Sequence, residues 1–441
     1  MPHESPIAIL PAPVPGPPPR PRVPKPVRWT MKNGLRVVAI QKRGIPQIVL
    51  RLVIPAGGAS DPAEHPGTAA LVAHLLTEGT QSMTADELNA RLDLLGAAVH
   101  ASTGHDWAEV EAVLLTDTMD EGIALMAEVA TRPSFPEAET ERVRAESLDA
   151  LVAREDEPAN VADDRAALEV FGPDHPYGHP SFGTAAGIAS VPREALAAFH
   201  AEHYRPRGSF LVAAGDFDPD ELRARLDAAF GAWTGEVARA AYPAGPPAPA
   251  SAGQDVVVPW EDAAQSEIRI VGPGLDRRSP DWLAGSVANY VLGGSTITGR
   301  LGANLREDKG WTYGVRSSFH AGQAIGGWGA DTAVDVEVTA GAVGEMLAEM
   351  RRMATEPVPD DEMRRAKDAM ILSVPRVFET PGGIASRFVT MEAFGLPDDY
   401  WERYPDALEA VTAGDVLRIA RQCFNPDRLV RVVVGGGMGG D

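Results

Sequence analysis

Two segments of this 441-residue chain repeat one another, and this repeat constrains the fold more than any other feature. TRPSFPEAETERVRAESLDAL spans 131–151, and TEPVPDDEMRRAKDAMIL spans 355–372. Each has Thr-x-Pro, a second proline, an acidic cluster and a charged helical stretch, and each follows an apolar helical stretch, at 120–130 and at 340–354. Acidic residues favour a first helical turn because they face the positive end of the helix dipole. Two matching helices in the same order predict a duplicated domain.

The boundary between the two copies is predicted from proline content. GEVARAAYPAGPPAPASAGQD spans 235–255 and has four prolines within 243–249, which excludes a helix or a central strand there. We therefore predict an N-terminal α+β domain at 28–234, a linker at 235–255 and a C-terminal α+β domain at 256–441. Residues 1–27 are rich in proline and are predicted to form an extended or disordered arm.

The order of strand and helix patterns predicts the fold class. Strands joined locally, with helices on one side, indicate an α+β layer built on a mainly antiparallel sheet. In the first half we predict strands at 35–41, 47–57, 97–103, 106–115 and 208–216, and helices at about 66–78, 84–95, 118–130, 136–155 and 192–203. The second half repeats this order, with a strand at 266–272, helices at 280–293 and about 299–309, strands through 313–337, and further helices.

Composition excludes several classes of function. The net charge of −22 disfavours nucleic acid and anionic membrane surfaces as partners, although it could attract basic peptides. No run approaches the roughly 20 apolar residues of a membrane span. The single cysteine, Cys423, excludes an intrachain disulfide framework and a cysteine-cluster zinc site, and it is expected to be a small buried residue. The N-terminus lacks a signal-peptide pattern, so we expect a cytoplasmic protein, with the periplasm as the other possibility.

The helical segment GTAALVAHLLTEGT at 67–80 has the most informative flanks. Together with LRVV, PQIVLRLVIPAGGASDP, AREDEP, HPYGHPSFGT and HYRP, it resembles the pitrilysin-type metallopeptidases, which include the mitochondrial processing peptidase and bacterial homologues. The resemblance covers about 28–441, in order, with both halves present. It implies two homologous domains, each a mainly antiparallel sheet packed with helices.

The same resemblance indicates a degenerate zinc motif. The family's H-x-x-E-H helix binds zinc through two histidines, and its glutamate is the general base. Here the corresponding positions are Ala70, Ala73 and His74, and the third ligand of the family corresponds to Ala150, with the adjacent Asp149 as the alternative if the match shifts by one residue. One imidazole cannot hold a catalytic zinc, which usually takes three protein ligands. We therefore expect no metal site in this chain, and we expect His74 to be a structural histidine with its hydrogen bonds satisfied.

A second stretch, GRLGANLREDKGWTYGVRSSF at 299–319, resembles the family segment that completes the active site from the C-terminal half. The resemblance implies that Arg306 and Tyr313, seven residues apart, bind the substrate backbone and stabilise the oxyanion. Guanidinium and phenol groups are donors suited to developing negative charge. The alternative is a structural pair in which a helix-end arginine, engaged in an ion pair, packs against a buried tyrosine.

Two other motifs have ordinary structural explanations. His175 and His179 are four residues apart, but Pro176 and Pro180 make that segment a loop, so a metal role is disfavoured. The glycine-rich segment GGSTITG at 293–299 lacks a nucleotide-binding context and is predicted to be a helix–helix turn, which could still line a peptide path.

The retained pair and the lost ligands lead to one functional prediction. We expect the zinc-free subunit of a heterodimeric metallopeptidase, which supplies Arg306 and Tyr313 to a zinc site on a related H-x-x-E-H partner, with peptides as substrates. Zinc is then expected in the partner and no cofactor in this chain. The alternatives are a non-enzymatic scaffold of the same fold, or a module that binds peptides without cleaving them.

Overall fold

The structure is a computed structural model that describes residues 16, 20–238, 240, 242–243, 249 and 251–436. Most of the predicted arm at 1–27, and residues 239, 241, 244–248 and 250 of the predicted linker, lie outside the described residues. The domain boundaries at 234 and 256 therefore remain predictions.

The first half contains six strands and eight α-helices. They are β1 Val27–Thr30, β2 Arg36–Gln41, β3 Gln47–Ile54, α1 Thr68–Leu75, α2 Ala85–Leu95, β4 Ala98–Thr103, β5 Ala108–Leu115, α3 Met119–Thr131, α4 Glu137–Glu155, α5 Pro158–Phe171, α6 Ala185–Ser190, α7 Arg193–His203, β6 Phe210–Gly215 and α8 Pro219–Phe230.

The described part of the second half contains five strands, six α-helices and two π-helical turns. They are β7 Asp255–Pro259, β8 Gln265–Pro273, α9 Trp282–Asn289, the π turns Tyr290–Gly294 and Gly302–Asp308, β9 Val315–His320, β10 Gly327–Asp335, α10 Thr339–Thr355, α11 Asp360–Val377, α12 Pro381–Phe394, α13 Tyr400–Glu409, α14 Ala413–Cys423 and β11 Val430–Gly435.

Local signals explain where the helices begin and end. Thr84 caps α2 by accepting the backbone N–H of Glu87, whose carboxylate accepts the backbone N–H of Thr84 in return. Gly96 ends the same helix in the left-handed region, at φ 59°. These signals explain why the helix predicted at 84–95 is found at nearly the same residues.

The two sheets have the same strand order, which confirms the duplicated α+β domain. The first sheet runs β1-β2-β6-β3-β5-β4 and the second runs β7-β11-β8-β10-β9. The orders coincide when the strands are matched in pairs: β2 with β7, β6 with β11, β3 with β8, β5 with β10 and β4 with β9. In each sheet one neighbouring pair is parallel, β2 with β6 and β7 with β11, and the other pairs are antiparallel.

The duplication extends to an arginine in the middle of each sheet, half-buried at Arg51 and buried at Arg269, a match that the sequence comparison missed. Arg51 on β3 lies opposite Glu111 on β5, and Arg269 on β8 lies opposite Asp331 on β10. Burial raises the pKa of Asp331, and Arg269 beside it opposes this rise. The same charge arrangement therefore stands on equivalent strands of both halves.

Each sheet is covered on one face by a helix from the opposite half, which corrects the prediction of helices on one side only. Helix α12 packs against β2, β3 and β6, where Phe388 and Met391 meet the first sheet. Helix α5 packs its Ala162 and Ala166 against Val430, Val432 and Val434 of the second sheet. The other face of each sheet packs on helices of its own half. Strand β6 is consequently buried along its whole length.

The predictions from the sequence also missed one helix and misplaced several element boundaries. Helix α5 was not predicted, and the helix expected at 280–293 is α-helical only to Asn289 and continues as a π turn. The helix expected near 299–309 is largely a π turn. Strand β3 ends at Ile54 rather than at 57 because Gly57 packs against the backbone carbonyls of Gly104 and His105, where a Cβ would lie 2.4 Å from an oxygen.

Two predictions from composition can be compared with the structure. Cys423 is buried at 2% exposure, as predicted, and burial raises the pKa of its thiol to about 12. Among the residues that the structure describes, no helix combines the length and the apolar character that crossing a bilayer requires.

Because α12 covers a sheet of the other half, we expect truncation of Phe388 to destabilise the whole chain. Phe388 is 0% exposed, so Phe388→Ala should lower the free energy of unfolding by about 3–5 kcal/mol, measured by urea denaturation. Leu372→Ala on α11 is the control, since Leu372 is 52% exposed and its loss should cost little. Equal effects of the two substitutions would contradict the packing.

Candidate functional site

Helix α1 carries the degenerate motif, and a buried carboxylate holds its first turn. The backbone N–H groups of Gly67 and Ala69 donate to Asp61 at 2.6 and 2.7 Å. Burial raises the pKa of Asp61 to about 6, and these two hydrogen bonds act in the opposite direction. Gly67 has φ 106°, and a Cβ there would lie 2.9 Å from the Ile188 side chain, so this position requires glycine.

The motif positions differ in exposure. Ala70 and Ala73 are buried at 4% and 1%, whereas His74, in the last turn, is exposed. His74 lines a cavity of about 370 Å³ together with Ala150 on α4 and His100 on β4. The structure therefore brings together two of the four motif positions, His74 and Ala150, beside the edge strand of the first sheet.

The acidic side chains of this cavity are bound by an arginine that sequence analysis missed. Arg142 on α4 forms ion pairs with Glu78 and Glu146, which both line the cavity, and with Glu139. The hydrogen bonds to Glu139 and Glu146 raise the pKa of the guanidinium. Glu146 lies four residues before Ala150, one helical turn away. This spacing places both residues on one face of α4, and it could have indicated from the sequence that Glu146 lies beside the motif. The negative charge of Glu78 and Glu146 is thus compensated within the chain.

The residues at this position do not fit a zinc ion. His74 offers one nitrogen, and the methyl groups of Ala70, Ala73 and Ala150 offer no ligand. Within the described ranges, no group of three or more histidine, cysteine, aspartate or glutamate side chains is placed to hold a metal. We therefore assign no metal-dependent step to this chain.

His74 does not have the satisfied hydrogen bonds that we expected of a structural histidine. Its ring is exposed and has no hydrogen bond to any other described residue, because the last turn of α1 directs it to the cavity rather than to the core. His74 and His100 are thus two exposed imidazoles on the same cavity, from α1 and β4.

The other candidate histidines serve the turn that contains them. The Nδ1 of His175 accepts the backbone N–H of Tyr177 at 3.0 Å, and the Nε2 of His179 contacts the carbonyl oxygen of Pro173. Pro176–Gly178 forms a single 3₁₀ turn. This local bonding accounts for the Nδ1 of His175 and the Nε2 of His179, whereas the Nε2 of His175 is buried without a hydrogen bond to another described residue.

Arg306 and Tyr313 lie on the two sides of one surface turn. Arg306 is in the π turn Gly302–Asp308, and Tyr313 lies two residues before the edge strand β9. The carbonyl of Arg306 accepts the N–H of Gly310 at 3.2 Å, which closes this turn. Tyr313 is 95% exposed, so the alternative with a buried tyrosine is wrong. The guanidinium lies 3.5 Å from the carboxylate of the adjacent Glu307 and is 39% exposed.

The glycine-rich segment is the predicted turn and lies beside Tyr313. Residues 296–298 form a turn between the two π-helical segments. The Thr296 methyl is 3.7 Å from the position of a Cβ at Gly314, and Ile297 is 57% exposed. Ile297 and Tyr313 therefore present large side chains to solvent from neighbouring segments.

Comparison with protein families identifies the chain. Residues 36–172 match the family described as insulinase (peptidase family M16), and residues 190–370 match the peptidase M16 inactive domain. The chain belongs to peptidase family M16. This is the pitrilysin-type family expected from the sequence; the motif positions 70, 73, 74 and 150 fall within the first match, and Arg306 and Tyr313 fall within the second.

Individual relatives of this M16 chain have related names and folds. An uncharacterised zinc protease of Mycobacterium leprae is 27% identical over 294 residues, 66% of this chain and 65% of the relative. The crystal structure of a peptidase M16 inactive domain from Pseudomonas fluorescens superposes with a TM-score of 0.87 at 25% identity, covering 94% of this chain and 99% of that chain. A chain of complex III2 from Candida albicans, at 17% identity and a TM-score of 0.76 over 93% and 95% of the two chains, shares the fold.

Because the ligand set is incomplete, we expect the purified M16 chain to retain only substoichiometric zinc. After incubation with zinc and dialysis, the metal content measured by plasma mass spectrometry should be the same for wild type and His74→Ala. His320→Ala, which removes another exposed histidine, is the control. One zinc per chain that only His74→Ala abolishes would contradict this interpretation.

Asp61 should make stability depend on pH. Its pKa is about 6 in the fold and about 3.9 when unfolded, so the folded state binds more protons between these values. The contribution of Asp61 is therefore present below about pH 4 and is lost as pH rises through about 6. The difference in free energy of unfolding between wild type and Asp61→Asn should fall by about 3 kcal/mol over this window. A difference that is constant with pH in urea titrations would refute it.

Proposed function

We propose that this chain is the zinc-free subunit of a heterodimeric M16 metallopeptidase. Arg306 and Tyr313 would bind the substrate backbone and stabilise the oxyanion at a zinc site on a related H-x-x-E-H partner. One observation carries the proposal: alanines occupy two of the three zinc-ligand positions and the position of the general base, whereas the two donors are present on an exposed turn. The chain alone would then have no peptidase activity.

The exposure of Tyr313 supports a role outside its own chain. At 95% exposure, the ring makes little contact with the fold, and its hydroxyl has no hydrogen bond to another described residue. Folding therefore gives no reason for an aromatic side chain at this position. A phenol donor on a surface turn suits a peptide carbonyl or an oxyanion supplied from outside.

The surroundings of Arg306 leave its guanidinium able to bind a ligand. Its charged partner is the neighbouring Glu307 at 3.5 Å, and such exposed pairs contribute about 0.2–1 kcal/mol. Turning away from Glu307 therefore costs little. A guanidinium has five N–H donors, which can bind a peptide carbonyl and developing negative charge together.

Sheet edges supply the expected mode of peptide binding. Peptides bind to exposed sheet edges as an added strand, through backbone hydrogen bonds. We propose that substrate pairs with the edge strand beside the partner's zinc, which corresponds to β4 here. Tyr313 precedes β9, the matching edge of the second sheet, so its hydroxyl would approach the peptide from this chain. The net charge of −22 would favour basic peptides.

The alternative is a non-enzymatic scaffold, or a module that binds peptides without cleavage. The scaffold alternative is supported by the likeness in fold to a chain of complex III2. In this case Arg306 and Tyr313 would have no effect on turnover. Tight peptide binding by the isolated chain would distinguish the peptide-binding module from the scaffold.

Removal of either donor should slow the complex without preventing its assembly. In the complex purified with its partner, Arg306→Ala should lower kcat by about 10²–10³-fold, the effect of losing one oxyanion donor. Tyr313→Phe, which removes only the hydroxyl, should act in the same direction. Peptide cleavage assays and size-exclusion chromatography measure the two properties.

Arg351→Ala is the matched control, because Arg351 is an exposed arginine on α10 of the same half. It should leave kcat unchanged. If Arg306→Ala and Arg351→Ala have the same turnover as the unmodified complex, the role of Arg306 is refuted.

A further inference from the structure

A cavity of about 640 Å³ lies at the junction of the two halves. The β4–β5 hairpin of the first half and the β9–β10 hairpin of the second half form two of its walls, and α5 forms a third. It shares no lining residue with the cavity beside His74. Its volume is in the range of sites that bind small organic molecules.

Aromatic side chains of the first half line part of the cavity. Trp107, Phe171 and Tyr177 belong to this lining, whereas the ring of Trp328 on β10 is 1% exposed and packs against Phe424 in the core of the second half. The ring of Phe171 stands edge-on to Tyr177 at 5.5 Å, which fixes the position of both. Gly327 lies against Phe171, and its missing side chain keeps space open at this wall. An apolar body of moderate size therefore fits between rings already held in place.

The charges that line the cavity are all negative. Asp106, Glu109 and Asp163 are its acidic residues, and none of its described lining residues is a lysine or an arginine. Burial raises the pKa of Glu109, and the nearby Glu111 adds to this rise, whereas Arg51 opposes it. The cavity therefore combines aromatic faces with negative charge.

Two of these acids keep part of their capacity to accept hydrogen bonds. Glu109 meets Arg51 through Oε1, and Asp163 meets Arg269 through Oδ1 at 2.6 Å. Their second oxygens have no hydrogen bond to another described residue. Each is thus able to accept a donor from a bound molecule.

Asp106 is held rigidly between the halves. Its Oδ1 accepts the hydroxyl of Tyr177 at 2.6 Å and that of Tyr242, and its Oδ2 accepts the backbone N–H of Gln323 at 2.8 Å. Burial and the bond to Asp106 raise the pKa of Tyr177, so the phenol remains a donor. The carboxylate is pre-organised as an anion, and a ligand beside it pays little cost of reorganisation.

We infer that this junction cavity binds an amphipathic organic cation, meaning an amine or quaternary ammonium group with an aromatic or aliphatic body. The ring faces attract a cation through their quadrupoles, and Asp106, whose hydrogen-bond partners are neutral, adds Coulombic attraction, whereas Glu109 and Asp163 add less because each is paired with an arginine. An anionic ligand of the same size would be repelled. A neutral ligand would desolvate the carboxylates without compensation. Since both halves form the walls, a bound cation would also raise the melting temperature of the chain.

Benzyltrimethylammonium is a suitable probe, with benzyl alcohol as the neutral comparison and phenylacetate as the anionic one. Isothermal titration calorimetry and thermal melting of the full chain measure binding. We expect saturable binding of the cation with a rise in melting temperature, and at least about tenfold weaker binding of the other two compounds.

Two substitutions locate the site. Ala167→Phe fills the cavity from α5 and should abolish cation binding, and Asp106→Asn should weaken it by about tenfold or more. Asp227→Asn makes the same charge change on the exposed surface of α8 and should have no effect. Circular dichroism shows which variants fold, and the cation binding of one folded variant is enough to test the location of the site.

The inference is overturned if the cation fails to bind in the millimolar range or if benzyl alcohol binds equally well. It is also overturned if a folded Ala167→Phe or Asp106→Asn variant binds the cation like the wild type. None of these outcomes depends on peptidase activity or on a partner subunit.

Discussion

The exchange of α5 and α12 between the two halves is the constraint on which the rest of the structure depends. Each helix covers the sheet of the opposite half, so neither sheet is buried on both faces by its own half alone. Burial of an apolar side chain is worth about 1.5–3 kcal/mol, and Phe388 and Met391 are among several such residues in the α12 interface. The two halves therefore form one cooperative unit rather than two independently stable domains.

This exchange also fixes the positions of the candidate sites. Among the described strands, the edge strands β4 and β9 each pair on one side only, with β5 and β10, and the loops that follow them meet where the backbone N–H of Gln323 donates to Asp106. The degenerate motif lies beside β4, and Tyr313 precedes β9. Duplication thus gives the chain two equivalent edges with different chemistry, one that has lost its ligands and one that has kept its donors.

Much of the fold could be predicted from the sequence because its signals are local. The Thr-x-Pro repeat, the capping box at Thr84 and the alternating strand patterns each depend on neighbouring residues, and the duplicated α+β fold followed from them. The degenerate motif followed from resemblance. The role of α5 could not be predicted, since its alanine face packs against strands of the second sheet, including β11 valines more than 250 residues away. The pairing of Arg142 with Glu78, 64 residues apart, was equally inaccessible.

The shared-site hypothesis is tested most directly by purifying the tagged chain gently from its native source and identifying any stoichiometric partner. The account predicts an M16 partner of similar size that carries H-x-x-E-H, with peptidase activity in the complex and none in this chain alone. A homodimer, or a stoichiometric partner unrelated to peptidases, would contradict it and would leave Arg306 and Tyr313 without a catalytic role.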